Sequence, residues 1–123
     1  MDRLPKVDFA ELMKGRTKKF VIDNIRLFRD LPKTEEARII GKQLLRSASS
    51  VGANYRAACR ARSKAEFGSK LSIVVEEADE SVFWMEIMIE AEIVNNQKIS
   101  LLMAEGNEIL KVVSAARKTA LQK

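Results

Sequence analysis

The chain has 123 residues, 22 Lys and Arg against 17 Asp and Glu for a formal net charge of +5, one cysteine and no histidine. That length favours one domain spanning residues 1–123. The lone Cys59 excludes an internal disulfide framework, and no stretch approaches the roughly 18 apolar residues of a membrane span. With five glycines, two prolines and abundant Ala, Leu, Ile, Glu, Lys and Arg, the composition predicts an all-α protein.

Met1 to Val7 reads as a frayed lead-in with Pro5 ahead of a first helix capped by Asp8 and running over about 8–31. No apolar run follows Met1 to Lys6, so no signal peptide is expected and the protein is expected to be soluble and cytoplasmic. The inward stripe of the first helix is Met13, Phe20, Leu27, Phe28 and Leu31, softened by Thr17 and Asn24. Lys14, Arg16, Lys18 and Lys19 form a basic cluster that reads as a solvated face.

Leu31-Pro32 ends that helix, because proline disfavours helical geometry in the residue before it. Thr34 is the expected N-cap of a second helix over about 34–62, with Glu35 and Glu36 beside its positive end. Ile40, Leu44, Val51 and Tyr55 form its buried face, with Leu45 at the edge. A seam of small residues (Gly41, Ala48, Gly52 and Cys59) runs alongside. Glycine in a helix interior costs about 1 kcal/mol against alanine, so the seam marks either the close approach of another helix or a tolerant surface. On the opposite face Arg38, Lys42, Arg46, Arg56 and Arg60 project within about 80° of one another. No acid occurs between Glu36 and Glu66 to pair with them along the helix.

Ser63-Lys64-Ala65-Glu66 fits a capping box opening a third helix over about 64–94. Its core stripe is Phe67, Leu71, Val74, Ala78, Val82, Met85, Ile89 and Ile93. A second apolar patch (Ile73, Trp84, Ile87, Met88 and Ala91) is rotated away from that stripe. It reads either as a surface for self-association or as the flank of a wide core. Asn95-Asn96 is expected to end the helix, asparagine tolerating left-handed backbone. A fourth helix over about 99–121 turns Leu102, Ile109, Val112, Val113 and Ala116 inward, interrupted by Gly106 and followed by a fraying basic tail of Arg117, Lys118 and Lys123.

Four helices with short connections predict an antiparallel up-down-up-down four-helix bundle. Charge is unevenly divided: residues 1–32 carry +3, 33–62 carry +5, 63–94 carry −6 and 95–123 carry +3. Glu76, Glu77 and Glu80, in this chain or a neighbouring copy, are therefore available to occupy part of the basic stripe.

Without histidine the commonest general base and metal ligand are absent, and Glu76, Glu77 and Glu80 have no matching ligand set for a metal cage. Gly41 and Gly52 follow no strand and precede no Gly-Lys-Ser/Thr, so they form no phosphate loop. No enzyme, metal or cofactor is expected. The chemistry left to the basic stripe is recognition of a polyanion such as RNA or DNA, salt-sensitive and weakly sequence-specific, or a purely structural role.

Leu31-Pro32, Gln43-Leu44-Leu45-Arg46-Ser47, Ser50-Val51-Gly52-Ala53-Asn54-Tyr55-Arg56, Arg62-Ser63-Lys64-Ala65-Glu66-Phe67 and Glu77-Ala78-Asp79-Glu80-Ser81-Val82-Phe83-Trp84 together resemble the bacterial four-helix-bundle proteins encoded by intervening sequences in 23S ribosomal RNA genes. The resemblance implies a ring-shaped homopentamer. It also implies kinship with the accessory variability protein of diversity-generating retroelements, a basic pentamer that binds nucleic acid and associates with a reverse transcriptase. Where many members read Asn-Ile-Ala-Glu-Gly, this chain reads Asn54-Tyr55-Arg56-Ala57-Ala58, losing an acid and gaining Arg56. The sequence thus predicts a homo-oligomer that binds nucleic-acid backbone through Arg38, Lys42, Arg46, Arg56 and Arg60 and self-associates through Ile73, Trp84, Ile87 and Met88. The alternative is a scaffold, or an adaptor for a protein such as a reverse transcriptase, that binds no nucleic acid itself.

Overall fold

The computed structural model describes residues 8–122 as four α-helices: α1 (Phe9–Arg29), α2 (Glu35–Cys59), α3 (Lys64–Glu90) and α4 (Gln97–Leu121). The lead-in over 1–7 and Lys123 lie outside the described residues. Each helix opens on a side-chain cap that satisfies an otherwise orphaned amide. Asp8 accepts from Ala10 N at 2.9 Å, Thr34 from Ala37 N at 3.3 Å, Ser63 from Glu66 N at 3.0 Å and Asn96 from Ile99 N at 3.1 Å. At Ser63 only this half of the expected box is formed among the described residues.

Helix ends depart most from the sequence reading in two places, while α1 stops at Arg29 rather than near Leu31 and α4 opens at Gln97 rather than near residue 99. The last amides after α2 fold into a tighter turn, Arg60 N to Ala57 O and Ala61 N to Ala58 O, both at 3.0 Å, so the helix stops at Cys59 rather than near Arg62. α3 stops at Glu90 rather than near Val94, because Glu92 takes the left-handed conformation with φ of 58°. Ile93 N then reaches Met88 O at 2.8 Å and Glu92 N reaches Ile89 O at 3.1 Å, the paired closure of a Schellman turn. The left-handed residue is thus Glu92 and not an asparagine; Asn96 instead caps α4. α4 continues unbroken through Gly106, Arg117 and Lys118.

The helices form a closed antiparallel cycle. The small-residue seam of α2 packs on α1: a Cβ on Gly52 would lie 2.6 Å from Val21 Cγ2 and 3.4 Å from the Thr17 carbonyl oxygen, and one on Gly41 would lie 2.5 Å from Leu31 Cδ1. α2 meets α3 through the buried hydroxyls of Ser47 and Ser81, 3.0 Å apart. α4 meets α3 where Gly106 faces Val82, and α1 where it faces the Phe20 ring. Arg16 ties α1 to α4 by a two-pronged pair with Glu105 at 2.7 and 2.8 Å.

The core contains Met13, Phe20, Leu27 and Leu31 of the first stripe, Leu44, Val51 and Tyr55 of the second, Leu71, Val74, Ala78 and Met85 of the third, and Leu102, Ile109 and Val113 of the fourth. Burial of such side chains stabilises a fold by roughly 1.5–3 kcal/mol each. Thr17 and Asn24 are buried among them and bond back to their own helix, Thr17 Oγ1 to Met13 O and Asn24 Nδ2 to Phe20 O, each at 2.8 Å.

Candidate nucleic-acid interface

All five cations of the α2 stripe are exposed, yet they do not form one continuous surface. Arg46 turns toward α3. Its Nη1 donates to Glu77 Oε2 at 3.0 Å and its Nη2 to Glu77 Oε1 at 3.3 Å, and Nη2 also contacts Glu80. The Trp84 indole N–H donates to the same Glu80 carboxylate at 3.1 Å. Burial works against the Glu80 anion, but the indole donor and the guanidinium outweigh it and hold its pKa below the ordinary glutamate value. The acidic helix thus does occupy part of the stripe, at one residue and within the same chain.

Arg38, Lys42, Arg56 and Arg60 form no ion pair among the described residues. They stand as two cationic groups with Arg46 clamped between them, their centres roughly 27 Å apart at 1.5 Å per residue. Arg38 edges a small depression at the α1–α2 turn, with Phe28, Pro32 and Thr34. Arg56 and Arg60 border a groove of about 690 Å³ between α1 and α2, whose α1 side carries Lys14 and Lys18.

Those two lysines are the site residues that reading α1 alone assigned to a solvated face. The cluster of four does not act as one: Arg16 is bound to Glu105, Lys19 pairs with Asp23 at 2.6 Å, Lys14 pairs with Glu11 at 2.9 Å, and Lys18 has no ion pair among the described residues. Their spacing in sequence does show that Lys14 and Lys18 share a face. That this face meets Arg56 and Arg60 depends on the register between antiparallel helices, which Gly52 sets against Thr17 and Val21.

The second apolar patch of α3 divides as well. Ile73, Trp84 and Ile87 are half-buried and keep an outward surface. Met88 is 0 % exposed and belongs to the core, a correction to its assignment as an interface residue. It lies toward α2, on the same side of α3 as Ser81. Phe83, which the spacing does not assign to the patch, is 49 % exposed and packs edge-on against Trp84 with ring centroids 4.9 Å apart. Cys59 is part-buried, and burial pushes its thiol pKa up, so it is a packed side chain rather than a ready nucleophile. No helix among the described residues is long and apolar enough to cross a membrane.

The family model described as 23S rRNA-intervening sequence protein matches residues 13–115, most of the bundle. The chain is also similar to a solved structure, a protein with unknown function from the S23 ribosomal protein family of Bacteroides thetaiotaomicron. The two share 31% identity with a TM-score of 0.79, and the match covers 85% of this chain and 97% of that one. No curated protein matches the chain. The four-helix architecture and the match over nearly the whole bundle place this chain in the 23S rRNA-intervening sequence protein family.

Proposed function

We propose that this protein is a non-enzymatic, homo-oligomeric helical bundle that binds nucleic-acid backbone through the outer face of α2. The supporting observation is that Arg38, Lys42, Arg56 and Arg60 are exposed and in no ion pair among the described residues, on a helix that carries no acid after Glu36. Cations held at the surface of a rigid helix neutralise phosphates and release their counterions, which supplies affinity without sequence readout. Each cation that reaches a phosphate adds about 0.9 to the salt slope on duplex DNA.

The test is a fluorescence-anisotropy titration of structured RNA and of duplex DNA at rising salt. Binding is expected at about 50 mM salt, and Arg38→Glu with Arg56→Glu should lower the slope by about two. No binding at low salt, or a slope that ignores the double reversal, sinks this function. Self-association through α3 is supported by a different observation, the exposed Phe83 ring packed edge-on against half-buried Trp84, with half-buried Ile87 on the same helix. Aromatic side chains are enriched at protein contacts, and multi-angle light scattering reads the resulting assembly directly.

A further inference from the structure

Four of the five glycines have a packing reason. A Cβ would meet a neighbouring side chain at 2.5 Å on Gly41, 2.6 Å on Gly52 and on Gly68, and 3.1 Å on Gly106. Gly15 has none: a Cβ there would have nothing within 4 Å, and no glycine in the described residues takes positive φ. An unexplained glycine in the second turn of a 21-residue helix weakens that helix and gives the core nothing in return. What Gly15 does border is the α1–α2 groove. Glycine at such a place lets a ligand approach the backbone closely.

The groove is graded along its length. Lys14 and Lys18 on α1 and Arg56 and Arg60 on α2 line it together with a single acid, Glu11, already bound to Lys14. One turn beyond Lys18 the lining becomes aliphatic, Val21 and Ile22, the latter 38% exposed. Its volume of about 690 Å³ falls inside the roughly 300–1,000 Å³ range of ligand pockets. A groove of that volume has room for a few nucleotide groups and none for a duplex, which can touch only the rim. An unpaired strand can lower its backbone to Gly15.

We infer that this groove seats unpaired nucleotides of a single-stranded or looped nucleic acid, with phosphates held between Lys18 and the Arg56–Arg60 pair and a base lying over Ile22 and Val21. The inference rests on the backbone-binding function above and selects its ligand. The electrostatic groove tracks the strand as in other single-strand binders, with aliphatic side chains where those proteins use aromatic ones, so base identity should matter little.

The experiment compares a labelled unpaired RNA with a blunt RNA duplex carrying the same number of phosphates, at one salt concentration. Wild type should favour the unpaired RNA by about tenfold. Gly15→Leu should bind unpaired RNA about tenfold more weakly while its duplex affinity changes by less than about twofold. Gly15→Ala should shift in the same direction by a smaller factor while its thermal midpoint rises. Loss of affinity together with gain of stability is an outcome that a merely structural glycine does not produce. Equal affinity of wild type for both RNAs, or unpaired-RNA binding untouched in both Gly15 variants, overturns the groove and leaves backbone binding by α2 standing. Binding to neither RNA at low salt overturns the underlying function itself.

Discussion

Arg46 and Glu77 lie on different helices and are joined by two hydrogen bonds, Nη1 to Oε2 at 3.0 Å and Nη2 to Oε1 at 3.3 Å. Glu80 completes the clamp from one turn further along α3. The middle cation of the α2 sequence is therefore outweighed by its own chain, one guanidinium against two carboxylates, and a polyanion lying along α2 would meet two positive groups separated by a saddle of net negative charge. Glu77→Gln with Glu80→Gln should release Arg46 into the stripe. The salt slope of nucleic-acid binding should then steepen by about one. Stability should fall by no more than about 1 kcal/mol, since Arg46 is half exposed and such pairs contribute little. A slope identical to wild type would show that the ligand does not cross the saddle.

The clamp has a defined response to acid. Glu80 has a pKa held below the ordinary glutamate value, its indole and guanidinium donors overcoming burial. A carboxylate depressed in the folded state contributes stability above its unfolded pKa and loses it as pH falls through the folded value. The Glu80 arm of the clamp should therefore persist through neutral and mildly acidic solution and open only below the usual glutamate range near about 4.3. Anisotropy titrations at pH 7.5 and 5.5 should give the same salt slope; a slope that steepens across that interval would place the opening of the clamp too high.

Glu92 offers a stability test independent of function. Its φ of 58° closes the Schellman turn after α3, a position where glycine carries no Cβ penalty and other residues do. Glu92→Gly should raise stability by about 0.5–1 kcal/mol, the strain relieved exceeding the extra freedom glycine gives the unfolded chain. Urea denaturation would measure it, and a loss would mean that the Glu92 side chain contributes more to the turn than its backbone costs.

Much of the fold was legible because its determinants are local. Asp8, Thr34 and Ser63 each cap the helix expected of them. The spacing of Leu71, Val74, Ala78 and Met85 marks a core face that the structure buries completely, since a helix repeats every 3.6 residues whatever surrounds it. The misreadings came where the decisive contact is between elements. Met88 sits some way round α3 from the main stripe, and only the position of α2 makes that side interior. Arg46 stands at one edge of the stripe, about 80° round the wheel from Arg56, and only the placement of α3 shows that this edge is the one met by carboxylates. Lys18 is as solvent-facing as its spacing implies; what α1 alone does not show is that α2 brings Arg56 and Arg60 to the same groove as Lys14 and Lys18. Glu92 was missed for another reason: its left-handed backbone runs against residue preference, so the neighbouring asparagines drew the assignment.

The small-residue seam makes a graded prediction. A Cβ on Gly41 would stand 2.5 Å from Leu31 Cδ1 and 3.0 Å from the Phe28 ring, both side chains of α1 and its exit. Gly41→Ala gains about 1 kcal/mol of helix propensity but overpacks a buried contact, which costs about 1–3 kcal/mol. A net loss of about 1 kcal/mol is expected in urea denaturation. Gly15→Ala, with the same propensity gain and open space around its Cβ, should instead gain about 0.4–1 kcal/mol. If both alanines shift stability equally, α1 and α2 do not pack as closely at Gly41 as the structure places them.

Surface and core on α3 can be separated by comparing Phe83 with Met88. Phe83 is 49 % exposed and Met88 0 %, although the two lie little more than one turn apart. If the outer face of α3 carries self-association, Phe83→Asp should lower the molecular mass seen by light scattering while leaving helix content intact. Its stability, measured on the dissociated species, should change by less than about 0.5 kcal/mol, as for most surface substitutions. Met88→Ala removes a packed side chain from the contact between α3 and the rest of the core and should cost about 2–5 kcal/mol in any oligomeric state. Loss of mass with Met88→Ala but not with Phe83→Asp would place the interface elsewhere. A Phe83→Asp protein that unfolds would mean that its ring is held in the fold more firmly than an exposed edge-on contact with Trp84 can account for.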